Sequence, residues 1–261
     1  MRLDRILSNS GCGTRSQIRD LIRAGAVSVD GRVINDPSLH ITADQFESII
    51  FRGSRLFYSQ FIYLCLNKPD ACLTALQDSR LPTVRQYIPE NLCGKGISPV
   101  GRLDYHTTGV LLLTNDGELN HRLTSPKYHI PKSYTIGYSG PPIDQSDVDC
   151  FAEGFVLSDR PGEETSLAPA KLIPIDDQHC VLTIIEGRTH QVKRMLAAIG
   201  RPVQTLHRNE FGGIVLPPTQ MPGDIRDLSS EEIQSLRTSC GIHYDPGGNN
   251  KDLSQNETDL V

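Results

Sequence analysis

The segment from Pro99 to Gly117 contains the residue whose type and setting best suit a reaction centre. It reads Pro-Val-Gly-Arg-Leu-Asp-Tyr-His-Thr-Thr-Gly-Val-Leu-Leu-Leu-Thr-Asn-Asp-Gly, and Asp104 stands in its Gly- and Thr-rich part, directly before an apolar run. Loops held by a rigid sheet commonly carry reactive groups, so Asp104 is a candidate catalytic carboxylate. The local sequence also fits an aspartate that only stabilises a turn. Asp116, followed by Gly, is better explained as a turn residue before a helix.

A second segment is rich in cationic side chains. Residues 186–195 read Glu-Gly-Arg-Thr-His-Gln-Val-Lys-Arg-Met and follow the apolar run 181–185. Val192, Met195 and Leu196 have the spacing of one helix face, so the cations lie at the predicted start of a helix. A helix N-terminus favours anions because its first backbone N–H groups are unpaired. The segment is therefore either a solvated basic face or a group of cations that keeps an aspartate ionised and in position.

These two segments need a rigid frame, and the hydrophobic pattern predicts one. Apolar, β-branched runs predict strands at 61–66, 110–114 and 181–185. Apolar residues at helical spacing predict helices at 118–123, 191–199 and 230–236. Asn67-Lys68-Pro69 closes the first strand. Ser229-Ser230-Glu231-Glu232 is a capped start for the last helix.

The first 58 residues predict a small separate module. Apolar residues at helical spacing indicate two helices, the second beginning at Thr14 or Ser16 and ending at Gly25. Residues 27–34 alternate apolar and polar side chains around Asp30-Gly31, which predicts a hairpin. Arginines recur every fourth residue on one face of the second helix, at Arg15, Arg19 and Arg23. Taken alone, that face is better explained as a solvated charged surface than as a binding surface.

The composition is that of an ordinary globular protein. Hydrophobic residues make up 38% and charged residues 22% of the 261 residues, which allows one large domain or a catalytic domain with a small appendage. The apolar stretches are too short to span a bilayer and the N-terminus lacks the apolar core of a signal peptide, so we expect a cytoplasmic protein. Seven cysteines without a Cys-x-x-Cys pair predict reduced thiols, with neither a disulfide frame nor a zinc site.

The net charge of −5 does not exclude a nucleic-acid partner, because binding depends on the local field. Between Gly187 and Arg208 the sequence has no acid and five basic residues: Arg188, Lys193, Arg194, Arg201 and Arg208. Acidic residues collect between 159 and 177 and in the last part of the chain. The global charge therefore decides little about the partner.

The order of parts in about the first 45 residues resembles the small RNA-binding domain first described in ribosomal small-subunit protein four. A helix is followed by a Thr-Arg-Ser helix start, a basic helix, Gly-Ala-Val and a Val-Asp-Gly hairpin. The resemblance implies that one set of side chains faces RNA phosphates: Arg2, Arg5, Arg15, Ser16, Arg19 and Arg23. Phosphate contacts give affinity but little sequence choice, so this module indicates RNA without indicating a reaction.

Longer motifs resemble the RsuA-type pseudouridine synthases, and the likeness runs to about residue 236. Gly-Arg-Leu-Asp-x-x-Thr-x-Gly at 101–109, followed by Leu-Leu-Thr-Asn-Asp-Gly, is similar to the catalytic signature of that family. Lys132-Ser133-Tyr134 looks like its Lys-x-Tyr motif, and residues 186–195 look like its basic motif. Three shorter segments continue the likeness: Asn67-Lys68-Pro69, Leu206-His207-Arg208 and Gly212-Gly213-Ile214.

The resemblance implies a role for each matching residue. Asp104 is the nucleophile, attacking carbon 6 of uracil or carbon 1′ of ribose, or it promotes a glycal route. Tyr134 stacks on the target base and assists proton removal from carbon 5, and Lys193 pairs with Asp104. Arg102 helps to keep the target nucleotide out of the RNA stack. Three further residues are implied as phosphate contacts or scaffold: Arg188, His190 and Arg194.

By the same resemblance the fold is α+β. We expect a catalytic domain on a mixed, largely antiparallel sheet at 59–237, a small N-terminal α/β RNA-binding domain at 1–58, and a disordered tail at 238–261, where Gly, Asn, Asp and Ser dominate. No cofactor and no metal are expected, because the reaction exchanges no group with a second substrate and the sequence has no phosphate-binding Gly-rich loop or metal-ligand cluster. We expect a monomer that acts on ribosomal RNA or a ribosomal assembly intermediate, away from membranes.

The target RNA and two other classes of protein remain as alternatives. Motifs at 190–195, 206–208 and 212–214 resemble the small-subunit subgroup, which implies 16S rRNA and leaves 23S rRNA as the alternative. A non-catalytic ribosome-associated RNA-binding protein explains the N-terminal module but not the catalytic motifs. A glycoside hydrolase needs two carboxylates at a defined separation, and Asp116 is a poor partner for Asp104.

Overall fold

The computed structural model describes residues 1–10, 12–42, 45–56, 61–160 and 163–242. The chain divides into two compact units, one within Met1–Ile62 and one over Tyr63–Ile242. Each unit has its own hydrophobic core, as independently folding domains do. The predicted boundary between residues 58 and 59 lies outside the described residues.

The N-terminal unit packs two helices against a small antiparallel sheet. Its helices are α1 (Leu3–Asn9) and α2 (Arg15–Arg23). Its strands are β1 (Val27–Val29), β2 (Arg32–Val33), β3 (Ile50–Phe51) and β4 (Ser54–Arg55), in the order β2-β1-β3-β4. The core between them contains fully buried side chains from both layers, among them Leu3, Ile6, Ile18, Ile22 and Val27.

Local sequence explains where α2 begins and where the first hairpin turns. The Thr14 side chain accepts the backbone N–H of Gln17, and the Gln17 side chain accepts the backbone N–H of Thr14. This reciprocal pair is a capping box, so the helix start predicted at Thr14 is confirmed and Ser16 is not the cap. Asp30 and Gly31 have φ of 50° and 75°, which the two-residue turn between twisted strands requires, and the predicted hairpin is confirmed.

The second unit is built on a mixed sheet of nine strands within the described residues. These strands are β5 (Tyr63–Lys68), β6 (Ser98–Pro99), β7 (Thr107–Thr114), β8 (Lys132–Tyr138), β11 (Lys171–Pro174), β12 (His179–Ile184), β13 (Val203–Phe211), β14 (Ile214–Val215) and β15 (Ile225–Asp227). The main path is β11-β12-β8-β13-β7-β5-β15, with β14 beside β13 and β6 beside β7. β13 and β7 run parallel, and the other described pairs of this sheet are antiparallel. The predicted α+β class with a largely antiparallel sheet is confirmed.

Helices and a short hairpin complete the second unit. The helices are α3 (Gly117–Thr124), α4 (Gln145–Glu153), α5 (Gln191–Ala198) and α6 (Ser230–Ser239), and the hairpin pairs β9 (Val156–Arg160) with β10 (Glu163–Ser166). Asp116 caps α3 by accepting the backbone N–H of Leu119 at 3.0 Å, which confirms it as a residue that starts a helix. Ser229 and Glu232 form the predicted capping box of α6.

The parallel contact between β7 and β13 depends on one glycine. Gly109 has φ of 101°, and a Cβ there would lie 2.2 Å from the carbonyl oxygen of Arg208. Any larger residue would force the two strands apart, because real Cβ atoms do not approach backbone that closely. The glycine of the 101–109 motif therefore sets how closely the two central strands approach.

The disordered tail is predicted to begin at residue 238, but ordered structure continues to Ile242. Helix α6 continues to Ser239, and Cys240 and Ile242 are buried in the core of the second unit. In the sequence these two apolar residues are surrounded by polar ones, so composition alone predicts a tail. In the structure their burial in the core orders the backbone around them. Residues 243–261 lie outside the described residues. No described helix is long and apolar enough to cross a membrane.

Candidate active site

The loop between β6 and β7 presents Asp104, and a buried lysine supports that loop. Lys68, at the end of β5, is fully buried, and its Nζ donates to the backbone carbonyl oxygens of Tyr105 at 3.3 Å and Thr107 at 2.8 Å. The backbone N–H of Thr107 donates to the carbonyl oxygen of Asp104 at 3.0 Å. Burial lowers the pKa of Lys68. The ammonium is tolerated in the interior because three carbonyl oxygens, including that of Pro69, receive its hydrogen bonds.

The residue before Asp104 is held by a second buried side chain. The hydroxyl of Thr74 donates to the carbonyl oxygen of Leu103 at 2.8 Å and accepts the backbone N–H of Leu103 at 3.2 Å. The backbone N–H of Cys72 donates to the carbonyl oxygen of Tyr105 at 3.2 Å. The backbone on both sides of Asp104 is thus fixed by segment 68–74.

Helix α5 brings two nitrogen-bearing side chains to the carboxylate of Asp104. Lys193 Nζ lies 3.0 Å from Asp104 Oδ2, and His190 Nε2 lies 3.4 Å from Oδ1. His190 precedes the helix with φ of +51°, a left-handed conformation that a non-glycine residue adopts at some cost. The side chains of Asp104 and Lys193 are each about two-thirds buried. The structure therefore places the basic segment opposite the candidate carboxylate, as the sequence predicts.

The start of α5 is fixed by the buried carboxylate of Glu186. Its Oε1 accepts hydrogen bonds from Gln191 Nε2 at 2.9 Å and from the backbone of Ala168 at 3.1 Å. Its Oε2 accepts from Arg188 Nε at 3.4 Å. Glu186 thus connects the end of β12 to the first turn of α5, which determines where Lys193 and His190 lie.

Asp104 opens onto a cavity of about 120 Å³. This volume is well below the ~300 Å³ of a typical drug-sized site, so the cavity suits a single flat ring better than a whole nucleotide. Its walls come from the Asp104 loop, the start of α5 and one face of the central strands. The residues that line it include Arg102, Asp104, Thr107, Lys132, Tyr134, Arg188, His190, Lys193, Arg208 and Phe211. Tyr134 is 7% exposed and lines the cavity together with Asp104. The three residues predicted as catalytic therefore meet in one place.

Two buried cations flank an aromatic ring at the cavity wall. The guanidinium of Arg208 lies 4.7 Å and the ammonium of Lys132 5.2 Å from the ring centroid of Phe211. Lys132 Nζ donates to the carbonyl oxygen of Ile130 at 2.8 Å. Burial and the nearby charge of Arg208 lower the pKa of Lys132 to about 8, since both disfavour the charged amine. This wall of the cavity is cationic.

The other residues predicted to contact RNA near the site have different positions. Arg102 and Arg188 are exposed on the cavity wall, and Arg188 is paired with Glu186. Arg194 donates to the carbonyl oxygen of Thr189 at 3.2 Å. Two of the five cations in the basic segment are interior, because Arg208 is 3% exposed and Arg201 pairs with Asp147 at 2.6 Å. The field that RNA would meet there is weaker than the sequence suggests.

In the N-terminal unit, a buried carboxylate organises the predicted RNA-contacting arginines. Asp4 is fully buried and pairs with Arg2 at 3.1 Å, Arg15 at 3.4 Å and Arg19 at 3.0 Å. Burial acts to raise the pKa of Asp4, but hydrogen bonds from Arg19 and Arg2 and the charge of Arg15 outweigh it and lower the pKa. The remaining predicted residues are exposed: Arg5, Ser16 and Arg23. Arg23 pairs with Asp20 at 3.2 Å.

Other reaction classes find no support among the described residues. No group of three or more His, Cys, Asp or Glu side chains there is arranged to hold a metal ion. Asp116, the weak second carboxylate for a glycoside hydrolase, is 2% exposed and accepts hydrogen bonds from Tyr63 and Arg237, both at 2.9 Å. Its oxygens are therefore occupied in the core instead of facing the cavity. Six of the cysteines are free thiols: Cys65, Cys72, Cys93, Cys150, Cys180 and Cys240.

Family models match both units. The model described as RNA pseudouridylate synthase matches residues 62–198, and the S4 domain model matches residues 1–46. A solved structure described as a pseudouridylate synthase is 38% identical, covers 90% of this chain and 99% of its own, and superposes with a TM-score of 0.62. The fold and the site thus define an RNA pseudouridine synthase with an N-terminal S4 domain.

Full-length relatives give the same result. The chain is 40% identical to the ribosomal small subunit pseudouridine synthase A of Haemophilus influenzae over 90% of this chain and 99% of the relative. It is 36% identical to the Escherichia coli protein of the same name, over 90% and 100%. An uncharacterized RNA pseudouridine synthase of Bacillus subtilis, YtzG, is 41% identical over 90% and 98%. This chain belongs to the RsuA-type RNA pseudouridine synthases, which are isomerases, and its S4 domain is an RNA-binding module.

Several residues that build the site are not evident as such in the sequence. The motif that contains Lys68 predicts only the end of a strand, and Thr74 belongs to no motif. In the Lys-x-Tyr motif, the resemblance assigns a role to Tyr134 and none to Lys132. Arg208 resembles a surface cation of the basic segment. A lysine directly following a run of buried strand residues is a signal that points to Lys68. Arg208 follows mostly exposed and half-buried residues of β13, so the same signal does not mark it.

Proposed function

We propose that the protein isomerises a uridine of small-subunit (16S) ribosomal RNA in the cytoplasm, with Asp104 as its catalytic carboxylate. The observation that carries the catalytic part is the position of Asp104, 3.0 Å from Lys193, in a cavity lined by Tyr134. The relatives named as small-subunit synthases in Haemophilus and Escherichia support the RNA target. Ribosomal RNA or a ribosomal assembly intermediate is then the partner.

The proposed reaction needs few groups, because all its atoms come from one nucleotide. The bond between N1 of uracil and C1′ of ribose breaks, and a bond between C5 and C1′ forms. C5 loses its hydrogen as a proton and N1 gains one. Asp104 stabilises the intermediate as a nucleophile, Lys193 holds its carboxylate by the ion pair, and Tyr134 stacks on the base and assists removal of the C5 proton.

The target uridine must leave the RNA helix to reach the cavity. Flipping a base out of its stack costs a few kcal/mol, which stacking on an aromatic side chain offsets in part. Arg102, exposed on the cavity wall, is positioned to fill the place of the flipped base or hold its phosphate. Further phosphate contacts are proposed for Arg188, His190 and Arg194, and in the S4 domain for Arg2, Arg5, Arg15, Ser16, Arg19 and Arg23.

Chemical mapping of pseudouridine in ribosomal RNA tests this proposal. RNA from cells with and without the protein is treated with a carbodiimide that marks pseudouridine and is then read by reverse transcription. We expect one stop in 16S rRNA that disappears without the protein and returns with the wild-type gene. The Asp104→Asn gene should not restore it. A stop that the Asp104→Asn protein does restore would contradict the catalytic assignment.

Large-subunit rRNA is the alternative target, since the Bacillus relative carries no assigned substrate in its name. The same experiment separates the two targets, because both rRNAs are mapped from one preparation. Loss of a stop in 23S rRNA alone would overturn the 16S assignment while leaving the catalytic one intact.

A further inference from the structure

Two buried polar atoms of residues that line the cavity have no hydrogen-bond partner within the described part of the chain. They are Oγ1 of Thr107 and Nη2 of Arg208, on residues that are 1% and 3% exposed. A buried donor or acceptor left unpaired costs about 1–3 kcal/mol. Native proteins satisfy nearly all such groups, so a pair of exceptions in one catalytic cavity calls for a functional explanation.

The two side chains are fixed on the same face of adjacent strands. β13 and β7 pair with Leu206 opposite Thr107, and Arg208 lies two residues further along, so it faces the same side. Tyr134 stands opposite Arg208 on the neighbouring strand β8. Arg208 is held by its Nε, which donates to the carbonyl oxygen of Val110 at 2.7 Å, and by its contact with Phe211. Its unpaired nitrogen is therefore held in place in advance.

We propose that Thr107 and Arg208 recognise the edge of uracil that carries N3–H and its two flanking carbonyl oxygens. The hydroxyl of Thr107 accepts the N3–H, and Nη2 of Arg208 donates to a carbonyl oxygen. The inference rests on the proposed catalytic role of the Asp104 cavity. Cytosine has an amino group in place of O4, which would set one donor against another and leave Nη2 of Arg208 unpaired. The hydroxyl of Thr107 can donate as well as accept, so the discrimination comes from Arg208. A site built for hydrogen bonds rejects such analogues strongly.

The same two contacts also suit the rotation that the isomerisation requires. Turning the detached ring by half a turn about its N3–C6 axis exchanges N1 with C5 and O2 with O4. N3–H lies on this axis and stays in place, and a carbonyl oxygen again faces Arg208. Thr107 and Arg208 would thus hold the base equally well before and after rotation, and the product orientation would need no new contacts.

A tritium-release assay tests the role of Thr107. Transcripts of both ribosomal RNAs, labelled with tritium on C5 of uracil, lose label to water when C5 gives up its hydrogen, so the assay does not depend on which uridine is modified. For Thr107→Val we expect kcat to fall about tenfold, the value of one buried hydrogen bond. Thr107→Ser keeps a hydroxyl and should restore most of the rate. KM for RNA should stay unchanged, because RNA affinity comes mainly from phosphate contacts.

Thr114→Val is the matched control. Thr114 is on the same strand and 3% exposed, but its hydroxyl already accepts the backbone N–H of Asp116 at 3.0 Å and it does not line the cavity. This variant should lose stability in urea and keep its kcat. Thr107→Val should show the reverse, because its hydroxyl has no partner to lose.

A sulfur substitution tests the role of Arg208. Sulfur accepts hydrogen bonds poorly, so transcripts made with 4-thiouridine should react several-fold more slowly than normal ones with the wild-type enzyme. The ratio of the rate on normal transcripts to the rate on 4-thiouridine transcripts should fall towards one in Arg208→Met. If Arg208→Met does not fold, the Thr107 variants still decide the proposal.

An unchanged kcat in Thr107→Val would overturn the inference. A fall in kcat would also overturn it if Thr107→Val lost unfolding free energy as Thr114→Val does, because the lower activity would then reflect lower stability. Asp104→Asn separates this outcome from failure of the proposed function. If Asp104→Asn releases no tritium while Thr107→Val is fully active, the catalytic assignment stands and the edge recognition is wrong. If Asp104→Asn remains active, the catalytic assignment itself is wrong.

Discussion

At the scale of single residues, the proposed catalytic role of Asp104 depends on the two groups beside its carboxylate. Lys193 and His190 approach its two oxygens from the first turn of one helix, so the carboxylate is oriented on both sides. The sequence resemblance assigns His190 to phosphate contacts or scaffold, whereas the structure puts its ring 3.4 Å from Asp104. We therefore propose that His190, whose left-handed backbone lies in the turn before α5, also helps to position the carboxylate of Asp104.

We expect Lys193→Met to lower kcat by about 10- to 100-fold, the range for losing one charge-assisted hydrogen bond. Lys193→Arg should retain more activity, because it keeps the charge near Asp104. Single-turnover rates on saturating RNA would measure both. Equal activity of Lys193→Met and the wild type would show that the ion pair is not needed for the reaction.

Lys132 predicts a specific dependence of stability on pH. Its pKa in the folded protein is about 8, below the ~10.4 of an unfolded chain. Between these values the unfolded state binds more protons, so the stability contributed at this site rises with pH. Lys132→Met should therefore be more stable than the wild type by about 1–3 kcal/mol at pH 7, and the gap should narrow towards pH 10. Urea unfolding at both pH values checks this, and a gap that widens with pH would contradict it.

At the scale of elements, the site consists of the Asp104 loop, strand β5 and helix α5. Lys68 at the end of β5 hydrogen-bonds to the loop backbone, and Lys193 of α5 contacts the carboxylate of Asp104. The sequence predicts these elements well, because their apolar periodicity and caps are local: the start of α2 at Thr14, the hairpin at Asp30-Gly31 and the α5 helix all agree. The motif order also brings Asp104, Tyr134 and Lys193 together. Contacts between distant segments were not predictable, since nothing local indicates that Lys68 donates to a carbonyl 39 residues away.

Removing the buried Lys68 of β5 should affect both stability and catalysis. Lys68→Met removes the hydrogen bonds to Tyr105 and Thr107 and leaves carbonyl oxygens unpaired in the core. We expect a loss of about 1–3 kcal/mol in unfolding free energy and a fall in kcat larger than that in RNA affinity, because the Asp104 loop loses its support. Unfolding and tritium release on the same preparation measure both effects. A variant with wild-type stability and wild-type kcat would show that the Asp104 loop does not need the hydrogen bonds from Lys68.

At the scale of the whole molecule, a chain of net charge −5 binds RNA through local basic surfaces. The S4 domain supplies one of them, where the buried Asp4 gathers three arginines that remain partly exposed. Two cations of the 187–208 segment are interior, so the catalytic unit offers less basic surface than its sequence suggests. Counting charges in the sequence could not reveal this, because burial of Arg201 and Arg208 depends on distant partners.

Removing one arginine of the S4 domain should change affinity and leave catalysis intact. For Arg15→Ala we expect weaker RNA binding, a salt dependence of log K reduced by about 0.7–1, and an unchanged kcat at saturating RNA, because one phosphate contact is lost. Arg80→Ala removes the same charge from an exposed position of the other unit and is the control. Equal salt slopes for Arg15→Ala and the wild type would remove Arg15 from the RNA-binding surface.

The most direct test of the central claim compares Asp104→Asn with the wild type on deproteinised ribosomal RNA. The two proteins differ by one carboxylate oxygen, so RNA affinity, measured by titration at fixed salt, should be the same within about threefold. The wild type should produce a new carbodiimide-dependent stop and release tritium from C5, and Asp104→Asn should do neither. Tritium release by Asp104→Asn at a rate within tenfold of the wild type would show that Asp104 is not the catalytic carboxylate.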